Sequence, residues 1–255
     1  MPEIYELSDK TKQLIVDSLR QGFVEFIEEK AKKKKEMIVS AGYAWTRGNH
    51  IDNQIYKSLK DANLATSEIF KVGGWEFLRF DLNEDNHKIW IVQKAVSFIY
   101  KKSNFAKQDA KHQNLISQWS NNVNSKYESL FSRRAKNVEN IVLIGDDSDE
   151  SHDFNESISK QIGEAEAFYL LTYEVSKDND ISSIKLNIVY DGKVKTIEDL
   201  DVFNAASSVE IPAEVRNQLE HSEVINPKVE PSTDYDFYAD ATVKENESKK
   251  GTDQN

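Results

Sequence analysis

Apolar positions along this chain recur in two rhythms, one of three to four residues and one of two, and these predict most of its elements. Leu14/Ile15, Leu19, Phe23 and Phe26/Ile27 return every three or four residues, which is one apolar face of a helix. Ser8 followed by Asp9 supplies its start. The run Lys32, Lys33, Lys34 and Lys35 places cations near its end, where they complement the helix dipole. Ile51, Ile55 and Leu59 predict a shorter helix from Gly48-Asn49 to about Asn63. Gly73-Gly74 then breaks the chain. Trp75–Asp81 and Lys88–Lys94 predict a β-hairpin with a longer loop through Leu82–His87. Neither strand alternates cleanly, so both faces are expected to be largely covered. Trp75, Phe77, Arg79 and Asp81 share one parity, and Trp90, Val92 and Lys94 share one on the second strand. Arg79 and Asp81 therefore stand close enough to pair.

From Phe105 the pattern turns helical. Leu115/Ile116, Trp119, Val123, Tyr127 and Leu130/Phe131 keep an apolar stripe, with His112 on it, and no Gly or Pro interrupts Ala106–Lys136. This predicts one helix of about 30 residues with Trp119 in the core. Asn140–Ile144 predicts a buried strand, followed by an acidic loop, Asp146–Asp153. Its spacing suggests calcium, but counting from Asp147 the sixth and twelfth places are His152 and Ile158, not Gly and Glu. A short helical stretch, Glu156–Gly163, leads to a second hairpin, Ala165–Val175 with Ile181–Tyr190. The alternation of Ile184, Leu186, Ile188 and Tyr190 predicts one solvated face. Asp191-Gly192 turns the chain into a third strand, Val194–Ile197. Pro212 opens a last helix, Ala213–Glu220.

The expected fold is α+β: helices flanking a largely antiparallel sheet, with two hairpins separated by a long helix. The chain divides into a relatively basic part, 1–140, an acidic part with the second hairpin, 141–220, and a tail, 221–255. From His221 the sequence is rich in Pro, Ser, Lys and acids, which predicts disorder. Val224/Ile225 and Tyr235–Tyr238, the latter aromatic among aspartates, are the parts of it suited to docking.

Composition adds three constraints. There is no cysteine, which removes disulfides, thiolate metal sites and Cys nucleophiles. No signal-peptide pattern and no apolar run near the roughly 20 residues of a bilayer span is present, so the expectation is a soluble cytoplasmic protein without a membrane role. The net charge of −11 is unevenly spread: residues 1–140 carry +5 and the remainder −16. Such polarity suits a charged partner or an acidic tail.

The stretch Ala41–Lys94 concentrates the candidate chemistry and holds Trp45, Trp75 and Trp90 of the four tryptophans. A helix bearing an acid, then a hairpin bearing an acid and a lysine, loosely resembles the core of metal-dependent nucleases of the PD-(D/E)xK type, whose plan places an acid-x-Lys triplet on the second strand. The resemblance implies Asp81 as the first acid, Lys94 as the lysine assisting the attacking water, His50 or Asp52 as contributors from the helix, and Mg²⁺ as cofactor. Val92 stands where the plan requires Glu or Asp, and Gln93 points to the opposite face. Without that carboxylate a Mg²⁺ site is poorly charged. No nucleophile elbow, Gly-rich phosphate loop or zinc-type His spacing is present.

A binding role draws on other residues. Lys32, Lys33, Lys34, Lys35, Arg47, Lys101, Lys102, Arg133 and Arg134 would contact phosphates, with Tyr43 or Trp45 as a stacking surface. The segments Trp-Thr-Arg-Gly-Asn-His-Ile-Asp-Asn, Gly-Gly-Trp-Glu-Phe-Leu-Arg-Phe and Tyr-Leu-Leu-Thr-Tyr-Glu-Val resemble an uncharacterised family of Gram-positive bacterial and phage proteins over most of Leu7–Phe203. That resemblance implies a phage or mobile-element setting and assigns no residue a role. The leading expectation is an intracellular interaction or regulatory protein without a cofactor, contacting a protein partner or nucleic acid through its basic part. A metal-dependent or degenerate PD-(D/E)xK-like nuclease is the alternative.

Overall fold

The first helix, α1 (Asp9–Glu36), starts on Ser8, whose hydroxyl accepts the Thr11 N–H, and ends in the expected lysine run. The structure, a computed structural model, describes residues 4–72, 75–101, 115–132, 137–143 and 165–217. Glu84 is buried against the start of α1. Its carboxylate accepts the Ser8 N–H at 2.8 Å and the Thr11 hydroxyl at 2.9 Å, placing negative charge where the helix has unpaired donors. The second helix, α2 (Arg47–Asp61), packs along α1. Gly22 makes their approach possible: a Cβ there would lie 2.5 Å from Ile51 Cα.

Eight strands form one sheet: β1 (Ala65–Val72), β2 (Trp75–Glu84), β3 (His87–Ala95), β4 (Ile99–Lys101), β5 (Val138–Leu143), β6 (Ala167–Val175), β7 (Ile181–Tyr190) and β8 (Lys193–Asp199). Their order is β1-β2-β3-β6-β7-β8-β5-β4. Every neighbouring pair is antiparallel except β3 and β6, which run parallel from Ile89/Ala167 to Ala95/Tyr173. The fold is thus α+β with a largely antiparallel sheet, as expected, and both hairpins lie in that one sheet. Among the described residues the remaining α-helices are α3 (Leu115–Val123), α4 (Asp201–Ala206) and α5 (Ala213–Arg216).

The two sheet faces carry separate cores. Phe80, Leu82, Ile89, Ile91, Tyr169, Leu171, Ile184 and Leu186 pack with the apolar stripe of α1 and with Ile51, Ile55 and Leu59 of α2. Phe70, Phe77, Trp90, Val92 and Phe168 pack with Leu115, Ile116, Trp119 and Val123 of α3. This double covering explains why the first hairpin lacks clean alternation. Trp119 is fully buried, as its place on the stripe predicts.

Several expectations change. The first hairpin closes through a two-residue turn rather than a longer loop. Asp85 (φ 48°) and Asn86 (φ 65°) both adopt the left-handed conformation that a tight hairpin turn needs, so the strands run on to Glu84 and His87. Strand β1, absent from the sequence reading, pairs with β2 from Leu82 to Trp75. It is an edge strand, and Ile69 on it is exposed, so its apolar signal is weak.

The single helix of about 30 residues does not form across its described portion. Helix α3 ends at Val123, and a 3-10 turn, Ser125–Phe131, follows Asn124. Asn124 is fully buried; its amide donates to the carbonyls of Phe168 and Val189, both at 2.8 Å, and its oxygen accepts the Phe168 N–H at 3.0 Å. Those bonds to β6 and β7 hold the chain where the helix would otherwise continue. They also cover the face of β7 expected to be solvated, where Asn187 and Val189 are buried. Helix α4 was not anticipated, and α5 is seen over Ala213–Arg216. The expectations for His112, the acidic loop Asp146–Asp153, the stretch Glu156–Gly163 and the tail from His221 fall outside the described residues. Among the described residues no helix is long and apolar enough to cross a membrane.

Candidate functional site

The β2–β3 ladder runs from Glu84/His87 to Phe80/Ile91 and stops there. Beyond that point β2 stays with β1 as far as Trp75, and β3 stays with β6 as far as Ala95. The hairpin is therefore split at its open end. Helix α2 closes the split with polar side chains. Asp52 Oδ2 accepts the Leu78 N–H at 3.0 Å, and Gln93 Nε2 donates to the Gly48 carbonyl at 3.2 Å. Asp52 and Gln93 are both about 5% exposed. Among the described residues neither Asp52 Oδ1 nor Gln93 Oε1 has a partner in hydrogen-bond geometry, although the Gln93 side chain adjoins the Asp52 carboxyl. Arg47 is also buried, with its guanidinium carbon 5.7 Å from the Tyr173 ring centre.

Burial dominates the electrostatics of this split. Desolvation pushes the Asp52 carboxyl up to about 7, against the opposing pull of the Leu78 N–H, the adjoining Gln93 side chain and the Lys94 charge. Desolvation likewise raises the Tyr173 hydroxyl, opposed by Arg47.

The four candidate catalytic residues separate into three places. Asp81 lies opposite Trp90, with its carboxylate on Arg79 at 2.7 and 3.2 Å and 3.9 Å from Lys88. Lys94 is four positions further along β3, about 13 Å from that level by strand rise. Its ammonium sits 4.7 Å from the Phe77 ring centre. Asp81 and Lys94 thus share a face but not a site. Asp52 and Lys94 do come together electrostatically at the split. His50 lies elsewhere, 3.4 Å from Glu29 in a shallow groove between α1 and α2 that Glu25, Glu28, Lys32 and Lys33 also line.

Mg²⁺ does not fit this arrangement. Val92 is packed in the apolar core, Asp81 is committed to Arg79, and Asp52 is a lone carboxyl with one oxygen on a backbone donor. Among the described residues no group of three or more His, Asp or Glu side chains converges as a metal centre requires.

The proposed phosphate-binding residues also divide. Arg47 is buried and faces Tyr173, away from any phosphate. Lys32 and Lys33 both approach Glu36, at 3.9 and 3.1 Å. The Lys33 amine stands 5.9 Å from the Tyr43 ring centre, because the 3-10 turn Ala41–Thr46 folds back on the end of α1. Hydrogen bonding to Glu36 raises the Lys33 pKa. Lys34 and Lys35 are exposed, and Tyr43 and Trp45 are half-buried. Lys102, Arg133 and Arg134 lie outside the described residues, and of Lys101 only its place in β4 is described.

Between these lysines and the 3-10 turn stand Met37, Ile38 and Val39, with relative exposures of 45%, 105% and 75%. Sequence reasoning passed over them, since a short apolar run between two helices reads as core. The missed signal is their position: just past the lysine run and Glu36 that end α1, and outside either helical stripe. Comparison of the chain with family models, curated proteins and solved structures finds no match.

Proposed function

We propose that this chain is a non-catalytic interaction protein that holds a protein partner with the end of α1 and the segment that follows. The observation carrying this reading is the exposure of Met37, Ile38 and Val39 beside Lys32, Lys34 and Lys35. Burying one such aliphatic side chain is worth about 1.5–3 kcal/mol, so two or three in a row supply a strong anchor. Lys34 and Lys35, with Lys32 shared with the exposed Glu36, give it a cationic margin, the arrangement of an apolar contact with a polar edge. The chemistry selects a partner presenting apolar side chains set among carboxylates.

Nucleic acid suits this surface less well. Arg47 is unavailable, Glu36 takes part of the charge of Lys32 and Lys33, and Glu25, Glu28 and Glu29 line the adjoining groove. The nuclease-like plan of α2, β2 and β3 is retained as a degenerate scaffold, its acids used for structure. A phage or mobile-element setting, from the resemblance noted above, completes the proposal.

The test compares the full chain with Ile38→Ser/Val39→Ser, both positions being exposed and away from the core. Cross-linking in the expressing cells should recover a defined partner with the native chain, and the double variant should lose it while keeping the native circular dichroism. Binding of a fluorescent single- or double-stranded DNA that weakens steeply with salt, and is unchanged in the double variant, would turn the reading to nucleic acid. Mg²⁺-dependent cleavage of DNA abolished by Asp52→Asn and Lys94→Ala would restore the enzyme.

A further inference from the structure

The apolar and cationic surface at the end of α1 lies within reach of a complementary segment of the same chain. Lys32, Lys34 and Lys35 are exposed, and Met37, Ile38 and Val39 project beyond them. The stretch Asp234-Tyr235-Asp236-Phe237-Tyr238-Ala239-Asp240 carries three aromatic rings and three aspartates without a cation. Each property of one has its counterpart in the other: apolar side chains for rings, ammonium groups for carboxylates.

The end of the described chain makes this geometry feasible. Arg216 pairs with Asp180 at 3.1 Å, and Asp180 in turn pairs with Arg20 of α1 at 3.4 Å. The last described residue, Asn217, thus leaves the fold beside the middle of α1. From Arg20 to Lys33 the helix advances about 20 Å. The stretch from 218 to Tyr235 spans about 27 Å even if wholly helical and about 60 Å if extended. A connection directed along α1 is therefore long enough to reach that end. Tethering at this distance gives the segment an effective concentration of about 1 mM, enough to occupy a weak site.

We propose that Asp234–Asp240 is an intramolecular occupant of the α1 end, covering Met37–Val39 and competing with the external partner. The proposal rests on reading that end as a contact surface. It makes the acidic tail the regulator of the site: a partner binds by displacing it, and binding is set by the difference between two affinities for one surface.

The test is carbodiimide cross-linking of the full chain, which joins an ammonium to a carboxylate in direct contact, read by mass spectrometry. Cross-links between Lys32, Lys34 or Lys35 and Asp234, Asp236 or Asp240 are expected. Tyr235→Ser/Phe237→Ser/Tyr238→Ser and Ile38→Ser/Val39→Ser should each reduce their yield about tenfold, since both remove the anchors. The triple variant should also recover more partner in cells. A mixture of isotopically light and heavy chains separates contact within a molecule from contact between copies; mixed-mass cross-links overturn the proposal in favour of a second copy. Absence of these cross-links also overturns it, while leaving the external contact surface intact if Ile38→Ser/Val39→Ser still loses the partner. Cross-links present, with partner recovery indifferent to Ile38→Ser/Val39→Ser, would keep the tail contact and reject the interaction function.

Discussion

The Arg79 guanidinium carbon lies 3.8 Å from the centre of the Trp90 ring, with the Arg79 side chain only 3% exposed. Phe70 and Trp119 stand at 5.0 and 5.4 Å, so three rings enclose one cation. Asp81 and Glu68 satisfy its N–H groups from the rim, at 2.7 and 2.9 Å. Asp81 is thereby a counter-ion, and the aromatic core against α3 is built around a charge.

Removing that charge should be costly. Arg79→Ala leaves the Asp81 carboxylate without its partner and a void between rings, and is expected to lose about 3–5 kcal/mol. Arg79→Lys should recover only part of this, because a point ammonium neither stacks nor binds two carboxylates in one plane. Arg79→Leu/Asp81→Leu should be less damaged than Arg79→Leu alone, since the more buried carboxylate is removed with the guanidinium and Glu68 is left half-exposed to solvent. Urea denaturation followed by tryptophan fluorescence measures all four; equal losses in the single and double leucine variants would contradict the account.

Asp52 predicts a pH dependence of stability. Its folded-state pKa, raised from 3.8 to about 7, means that the native state binds its proton more tightly than the unfolded chain does. Below the unfolded value both states are protonated and no penalty exists; between the two values only the native state holds the proton. Stability should therefore fall by about 1.4 kcal/mol per pH unit across that window from this group, then level off. Asp52→Asn keeps an acceptor for Leu78 and adds an amide donor beside Gln93, so it should flatten this slope and match or exceed the native chain at pH 8. Denaturation at pH 5 and pH 8 decides; a slope unchanged in Asp52→Asn would place its origin elsewhere.

Asn124 fastens α3 to the sheet through three hydrogen bonds. Asn124→Ala strands two carbonyls and one N–H in the core, at about 1–3 kcal/mol for each group left unpaired. Asn124→Asp retains the acceptor but not the donor, and should be no better at neutral pH. Thermal unfolding should show a large drop in midpoint for both variants.

Gly22 tests the contact between helices. The added methyl of Gly22→Ala would meet Ile51 Cα at 2.5 Å and the His50 carbonyl at 2.8 Å, backbone atoms that yield only if α2 moves. The expected cost is about 1–3 kcal/mol despite the better helix propensity of alanine. Because α2 carries Asp52 into the hairpin split, the same variant should lower the Asp52 pKa as water enters. A stabilised protein would show that the helices separate freely.

What could be read from the sequence was local. The α1 stripe, its Ser8 start, the Ile51/Ile55/Leu59 helix and the pairing of Arg79 with Asp81 follow from periodicity alone. The hairpin loop was misjudged because Asn83 and Glu84 are polar yet paired: Glu84 is buried for the sake of α1. The long helix was overextended because the stripe through Tyr127 and Phe131 also suits a 3-10 turn, and nothing local reveals that Asn124 bonds to two distant strands. The grouping of Asp52, Gln93 and Lys94 depends on where the β2–β3 ladder stops, a property of β1 and β6 rather than of the hairpin. Exposure at Ile38 and Val39 was hidden because an apolar run gives no sign of whether anything packs on it.

The parallel joint between β3 and β6 has a consequence for how the molecule assembles. The hairpins β2–β3, β6–β7 and β7–β8 close through short connections, whereas Ile89 and Ala167 meet only after more than seventy residues are drawn together. That closure is the slow event expected of long-range pairing. Until it occurs β3, whose segment Ile89–Gln93 is buried in the finished sheet, offers an open edge to solvent. A β6 strand arriving from another molecule would satisfy it as well as its own. Refolding at high protein concentration should therefore yield domain-swapped dimers exchanged at the β3–β6 seam.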